Sequence, residues 1–425
     1  MKNQYPAIDR MIDRVRGAFS GEDGRVGQVF ENCIGDTLDN TVKRMEDGSV
    51  YVITGDIPAM WLRDSACQLM PYVRFAAQEP GIREILVKVI ETQARCILLD
   101  PYANAFTLPG TTSIWTSDRT AMKPGIWERK YETDSLCHPV NLAWTLWKKA
   151  GTAEHFTPAW KRAAERIVET LQTETDHENR SEYRFERDDC VFTDTLSRDG
   201  KGALVKPGIG LIWSGFRPSD DSCVYGYFIP ANMFAAVTLE RIGEISEEVY
   251  GDHALAGRAR SFAAGVRRAI GEYAVLPHTA KPYYAYEVDG FGQYLVMDDA
   301  NIPSLLALPL LGWCDADDRL YLNTREVILS EHNPFYYEGK YLRGIGSPHI
   351  PVRYVWHIAL AVQGLTAADC REKLDCIRQM VNSDAGTGMM HEGVFVDDPA
   401  RYTRPWFSWA NAMFCELVMD YLDRV

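Results

Sequence analysis

The sequence predicts an all-α protein built as an (α/α)6 toroid, six inner helices inside six outer ones, with small β-hairpins inserted in the loops of one face. Three observations predict it. Six segments apolar nearly all round each follow a proline. Six amphipathic segments alternate with them. The connections between the two kinds are short in one sense and long in the other.

The apolar segments are "IPAMWLRDSACQLMPYVRF" after Pro58, "HPVNLAWTLWKKAG" after Pro139, "IPANMFAAVTLERIG" after Pro230, "IPSLLALPLLGW" after Pro303, "IPVRYVWHIALAVQGL" after Pro351 and "RPWFSWANAMFCELVMDYL" after Pro405. Proline suits a first helical position, whose N–H has no intrahelical partner. A helix apolar on all sides is buried on most of them. The first copy is the loosest, its helix starting nearer Arg63 or Asp64. The spacing is irregular, which disfavours a solenoid of fixed period. The amphipathic partners are "QVFENCIGDTLDNTVKRM", "GIREILVKVIETQARCILL", "TPAWKRAAERIVETLQTE", "ALAGRARSFAAGVRRAIGEY", "RLYLNTREVILSE" and "AADCREKLDCIRQMVNS". The 3,4 spacing is clearest at 158–175 and 253–273. An unordered helical bundle is the plain alternative. Six and six in alternation close most simply as two concentric rings, one catalytic domain over 1–425.

Inner-to-outer connections are short, such as "AGTAEHF" and "GLT". Outer-to-inner connections are long: 100–137, 176–229, 274–302, 331–350 and 383–404. In a ring of alternating helices all connections of one sense emerge at one end, so the long ones converge on one face. Loops of that length in a compact fold are usually functional. Strands are expected in "EYRFER", "ALVKPGIGLIWSGF" and "PYYAYEVDGFGQYLVM", where β-branched and aromatic residues gather.

Composition bounds the function. The chain has 425 residues, 46% hydrophobic and 24% charged, an ordinary globular balance. Its net charge of −14 argues against nucleic acid. No apolar run suits a membrane span, and the first residues carry no apolar leader core. Ten scattered cysteines without a CxxC pair fit reduced thiols in the cytoplasm. Eleven Trp and 21 Tyr suit sugar stacking, and equally a plain aromatic core. The oligomeric state is not readable.

The junctions before the inner segments carry the chemistry: "TGD…WLRDS", "WERKYETDSLCH", "SGFRPSDDSCVYGY", "VMDDAN", "YLRGIGSPH" and "MMHEGVFVDD…RYTRPW". One acid before a helix, Asp134 or Asp299 for example, is explained as an N-cap worth about 1 kcal/mol. Six junctions with added Arg, His, Asn and aromatics ask for more. Acid doublets raise metal binding, but no EF-hand loop or HExxH is present. No phosphate loop and no GxSxG occurs. Glycoside hydrolysis needs two carboxyls in different environments, with polar pairs for hydroxyls and aromatic platforms, and it fits the inventory best.

The stretches "GDIPAMWLRDS", "YETDS", "GFRPSDDSCVYGYFIPANMF", "MDDANIPSLL" and "HEGVF" resemble the exo-α-1,6-mannosidases of glycoside hydrolase family 125, from about Phe30 to the C-terminus. The resemblance implies an (α/α)6 fold, no metal or other cofactor, inversion at the anomeric carbon, and release of terminal α-1,6-linked mannose from oligosaccharides such as trimmed N-glycans. It implies a general acid in "RPSDDS", at Asp220, with Asp221 the adjacent alternative, and a general base at Glu392. It places polar contacts to the terminal mannose among Arg63, Asp64, His138, Asn232, Asn301, His349 and Arg404, with Trp61, Trp115 and Tyr225 as stacking candidates. In a six-membered ring the third and sixth junctions face each other, and about 6.5–9.5 Å between carboxyls suits inversion. Burial or the charge of Asp221 is expected to raise the pKa of Asp220, and His391 or Arg404 to keep Glu392 ionised. Asp56 reads as a brace for the turn before Pro58. The rival readings are another (α/α)6 carbohydrate enzyme, such as a glucosidase or sugar epimerase, a metal-dependent mannosidase, and a non-catalytic glycan-binding toroid.

Overall fold

Six helices line the inside of the molecule in the computed structural model, which describes residues 4–276 and 281–425. They are Leu62–Leu69, Cys137–Ala150, Ile229–Glu248, the single turn Leu308–Leu311, His357–Thr366 and Ser408–Leu422. Each packs on the next, and Ser408–Leu422 packs back on Leu62–Leu69, so the inner ring is closed. The outer helices are Arg25–Asp36, Pro80–Leu99, Pro158–Glu174, His253–Tyr273, Arg319–Ile328 and Cys370–Asn382. One further helix, Pro6–Ala18, lies against Arg25–Asp36 and Ser408–Leu422. A single apolar cluster runs from Tyr5 to Leu422 through both rings. No helix of the described residues is long and apolar enough to cross a membrane.

The alternation of helix types has its expected physical basis. Outer helices keep a polar face in water, and inner helices are covered on nearly every side; Ile229–Glu248 exposes little beyond its last turns. Capping separates the two kinds. Four outer helices have a side-chain N-cap, from Thr157, Asp252, Asp318 and Asp369. None of the six inner helices has one. The acids at the inner junctions are therefore not spent on capping, and their clustering needs another explanation.

Proline leads are less literal than the sequence pattern suggests. Pro230 and Pro309 sit at a helix start, but Pro58, Pro351 and Pro405 lie upstream of theirs. In two of these cases the intervening residues form a strand instead: Ala59–Trp61 and Tyr354–Trp356. The fourth inner segment is not the full helix expected. Pro303 and Pro309 interrupt it, and Gly312, at φ +85°, ends it after one turn. Asp298 braces the segment by accepting the N–H groups of Leu305 and Leu306 at 2.8 and 2.9 Å.

All sheets are small and antiparallel, and three of them tie neighbouring long connections together. Ala59–Trp61, Tyr227–Phe228 and Tyr354–Trp356 each run straight into an inner helix. They pair with Ala105–Thr107, Glu287–Val288 and Gly393–Phe395, each from the next long connection round the ring. Strands also form within 282–297, as expected. None forms in 182–187 or 203–216; those segments make only isolated bridges, Arg119 to Glu186 and Phe216 to Ser222. Their aromatic residues Tyr183, Phe185, Trp213 and Phe216 are buried in the core, so the composition there serves packing. Residues 277–280 of the connection 274–302, and the first three residues of the segment read for a leader, lie outside the described residues.

Candidate active site

A cavity of about 310 Å3 opens where the long connections meet the inner ring. Five of the six junctions line it: Thr54 to Asp64, Pro218 to Asp220, Asn301, His349 with Trp356, and Glu392 to Trp409. The second junction stands directly behind the wall, through Glu132 and Asp134. The strand ending at Trp61 delivers Arg63 and Asp64 into the first turn of their helix. The strand pair Trp356–Gly393 sets Glu392 beside His357, whose backbone N–H donates to the Glu392 backbone carbonyl at 3.3 Å.

Arg63 is the hub. It is buried, and its guanidinium faces four carboxyls: Glu132 at 2.6 Å, Asp134 at 3.1 Å, Asp64 at 3.7 Å and Asp220 at 3.8 Å. One cation does not compensate the three fully buried acids Asp64, Glu132 and Asp134, and their protons are held more tightly. Burial pushes Asp64 up to about 6 and Asp134 up to about 6, with Arg63 opposing in both cases. Glu132 is driven well above the usual carboxylate range, by burial first and then by its acidic neighbours Asp220 and Asp134.

Asp220 sits at the tip of a tight turn. Its N–H reaches the carbonyl of Arg217 at 2.9 Å, and the Arg217 N–H reaches the carbonyl of Asp221 at 2.7 Å. Its backbone is left-handed, φ +69°, a strained choice that turns the side chain into the cavity, with 29% of it exposed. Ion pairs centred on Lys130, Arg187 and Arg217 hold that turn. Lys130 donates to the Asp220 carbonyl at 2.8 Å and pairs with Asp194. Arg187 clamps Asp118, Glu128 and Asp194. Glu287 binds Arg217 at 2.6 Å and accepts the N–H groups of Val224 and Tyr225. The expectation that Asp220 has a raised pKa is corrected. Burial does raise it, but Lys130, Arg63, contact with Glu132 and His349 outweigh burial and hold it below its ordinary value. Asp221 is not on the wall; it lies behind, bonded to His349 Nδ1 at 3.2 Å. Burial disfavours charge on His349, yet Asp221, Asp220 and Glu392 together push it up to about 9, so it is an imidazolium at neutral pH.

Glu392 lies opposite in the ring order. Thr403 Oγ1 donates to it at 3.0 Å, and Arg404 stands 3.7 Å away. Arg404 also pairs with Asp56 and lies over Phe407, 4.2 Å from the ring centre. Asp56 thus braces a cavity-lining arginine rather than only its own turn. His391 faces away, stacked on Tyr402 at 3.8 Å.

Of the residues read from the sequence, Trp61, Arg63, Asp64, Asp220, Asn301, His349, Glu392 and Arg404 meet at the cavity. Trp115, His138, Tyr225 and Asn232 do not line it. Trp115 lies over the Arg187 guanidinium, 3.7 Å from it, which stiffens the clamp behind Asp220. His138 is buried and faces a second cavity; burial and then Arg63 push it down to about 3, so it stays neutral. Tyr225 contributes its N–H to Glu287. Asn232 ties Ile212 and Phe228 together. Sequence reading missed Trp356, Phe407 and Trp409 on the wall and Glu132 and Lys130 behind it. One signal existed: Trp356 precedes the fifth inner helix as Trp61 precedes the first.

Among the described residues, the indole N–H groups of Trp356 and Trp409 and Nε of Arg63 are buried without a hydrogen-bond partner. All three belong to cavity-lining residues. An orphaned buried donor costs about 1–3 kcal/mol, which a hydroxyl-rich ligand would relieve. Also among the described residues, no group of three or more His, Cys, Asp or Glu is set to hold a metal ion.

The comparisons with known proteins decide the family. The model of the metal-independent alpha-mannosidases, glycoside hydrolase family 125, matches residues 23–419. The chain belongs to this family. A curated relative from Schizosaccharomyces pombe, the meiotically up-regulated gene 157 protein, is 39% identical over 440 residues, 98% of this chain and 86% of that protein. A solved family 125 structure from Streptococcus pneumoniae, a non-productive substrate complex with α-1,6-mannobiose, is 45% identical with a TM-score of 0.95, covering 98% of each chain. A bacterial glucoamylase bound to acarbose is similar in fold only, at 12% identity and a TM-score of 0.56, covering 86% of this chain and 49% of its own. This protein is thus a glycosidase, and the polar cavity is its candidate active site.

Proposed function

We propose that this mannosidase releases non-reducing terminal α-1,6-linked mannose from oligosaccharides and N-glycan fragments, with inversion and without a metal. The observation that carries the reading is the likeness, along nearly the whole chain, to the family 125 structure that holds α-1,6-mannobiose. Asp220 is the general acid and Glu392 the general base. Both line the cavity, Asp220 from the third junction and Glu392 from the sixth, which supports opposed roles across the sugar. Asp221 is already engaged by His349, which favours Asp220 as the acid. Arg63, Asp64, Asn301, His349 and Arg404 hold hydroxyls, and Trp61, Trp356, Phe407 and Trp409 give the ring apolar faces. Residues 1–425 form one catalytic unit, since the wall draws on five junctions spread along the chain. The ten cysteines, none of them in a disulfide, support a reducing compartment, the cytoplasm.

In the reaction the Asp220 carboxyl protonates the glycosidic oxygen as the C1–O bond breaks. Glu392 takes a proton from a water that attacks C1 from the opposite face. Asp220→Asn and Glu392→Gln are each expected to lower turnover of α-1,6-mannobioside by about 10²–10⁴-fold, with mannose binding retained. Proton NMR is expected to show β-mannose first, from α-1,6- and not α-1,2- or α-1,3-linked mannobioside, unchanged by EDTA. Full activity of either variant overturns its assignment, and α-mannose formed first overturns inversion.

A further inference from the structure

We infer that Asn104 positions Asp220 for the acid step, holding Oδ1 of its carboxyl so that Oδ2 carries the proton to the glycosidic oxygen. The inference rests on Asp220 being the general acid. Asn104 is fully buried, one residue ahead of the strand Ala105–Thr107, in the long connection 100–137. Its amide has one orientation that suits its partners. Oδ1 accepts the backbone N–H of Lys130 at 3.2 Å. Nδ2 donates to Glu128 Oε2 at 3.0 Å and to Asp220 Oδ1 at 3.4 Å. A flipped amide would set its carbonyl against two carboxyls and its NH2 against an N–H, so the partners fix which end faces Asp220.

The backbone of Asn104 ties the same residue to the hub. Its carbonyl accepts the N–H of Leu62 at 3.0 Å, at the start of the first inner helix. Arg63 follows, and its Nη2 faces the same Asp220 Oδ1 at 3.8 Å. One buried residue therefore holds the acid by its side chain and the helix start beside Arg63 by its backbone. Lys130, whose N–H fixes the Asn104 amide, also holds the Asp220 carbonyl through Nζ at 2.8 Å. Glu128, the other acceptor of Nδ2, is held by Arg187 at 2.8 Å. Both donors thus converge on Oδ1, on a carboxyl that lines the cavity with 29% of its side chain exposed.

The two oxygens of a protonated carboxyl are not equivalent: one donates its proton, the other only accepts. With Asn104 and Arg63 on Oδ1, that oxygen is the acceptor and the proton belongs on Oδ2. Without them the carboxyl could turn either oxygen to the substrate, and half of those arrangements would offer no proton. As the C1–O bond breaks, its electron pair passes to the leaving oxygen, which takes the proton from Oδ2. The charge left on Asp220 spreads over both oxygens, and Asn104 and Arg63 face the share on Oδ1. Solvent returns a proton to Asp220 after the product leaves. Asn104 is neutral throughout, so it orients the acid without competing for its proton. At 3.4 Å its bond to Asp220 is long, and contacts to catalytic groups commonly tighten once substrate is in place. Asn104 does not line the cavity and acts only through Asp220, so it is a positioning residue.

The test compares α-1,6-mannobioside with dinitrophenyl α-mannoside, whose leaving group needs no acid. Asn104→Ala is expected to lower kcat on mannobioside at least about tenfold, with KM within about threefold. Turnover of the dinitrophenyl substrate is expected to stay within about threefold. The basic limb of kcat/KM on mannobioside is expected to move up by about half a pH unit, because the lost donor favoured the Asp220 anion. Asn104→Ser keeps a small polar group but not the reach of the amide. It is expected to show the same split, and it gives the answer even where Asn104→Ala does not fold. Equal loss on both substrates marks a merely structural role and overturns the inference. So does an unchanged kcat on mannobioside, or a basic limb that stays or moves down. Asp220→Asn distinguishes the two levels: if it retains mannobioside turnover, the acid assignment itself fails. If it is inactive while Asn104→Ala behaves as wild type, only the role of Asn104 fails.

Discussion

Asp64 shows how far a single residue at this site is held from its own best stability. Its ordinary value of 3.8 is pushed up to about 6, by burial first, against the attraction of Arg63 and Arg404. A raised carboxyl is more easily borne protonated, so its favourable contribution is complete below pH 3.8 and is lost as pH rises through about 6. Asp64→Asn removes that titration and leaves Arg63 three other carboxyls. The variant is expected to gain about 1–3 kcal/mol of stability, the gain growing between pH 4 and 6 and level above. It is also expected to bind mannose more weakly. Denaturant unfolding across that pH range checks the first outcome; a loss of stability at pH 7 contradicts it. The tension is ordinary for a binding site, where a charge is kept for the ligand and not for the fold. Asp64 and Arg63 were legible as a pair from their spacing. That Arg63 serves four acids was not, because Glu132, Asp134 and Asp220 are remote in the chain.

At the scale of elements, "GDIPAMWLRDS" depends on its first residue. Gly55 bridges Phe407, and its φ of +133° is one that residues with side chains rarely adopt. A Cβ there would stand 2.6 Å from the Trp406 carbonyl oxygen. The bridge joins the first junction to the sixth and sets Asp56 against Arg404. Gly55→Ala is expected to lower stability by about 1–3 kcal/mol and to reduce kcat/KM on mannobioside through a displaced Arg404. Unchanged kinetics together with an unchanged melting temperature would refute this. Helix positions followed from periodicity, since amphipathic faces repeat every turn. Strand positions followed only in part, in 282–297 and not in 182–187 or 203–216, because strands of two or three residues carry too little pattern. Their pairing is set by partners in the next connection, as Trp356 with Gly393 shows.

Across the whole molecule, ring closure joins the ends of the chain. Ser408–Leu422 packs against both Leu62–Leu69 and Arg25–Asp36. Neither half of the chain can complete the inner ring alone. Calorimetry is therefore expected to show one cooperative unfolding transition, and two separated transitions would mean that the chain divides into independent units. By itself the sequence determined the order of inner and outer helices, the face on which the long connections gather, and the acids and arginines that gather there. These follow from periodicity, connection length and local composition, which need no knowledge of distant contacts. Only the tertiary structure decided which of those residues share the cavity. It placed Asp220 on the wall and Asp221 behind it through one left-handed turn. It put Trp115, His138, Tyr225 and Asn232 to work in the scaffold. It also set the protonation of the site, because a pKa depends on burial and on charges brought together from all round the ring, and neither is a property of the local sequence.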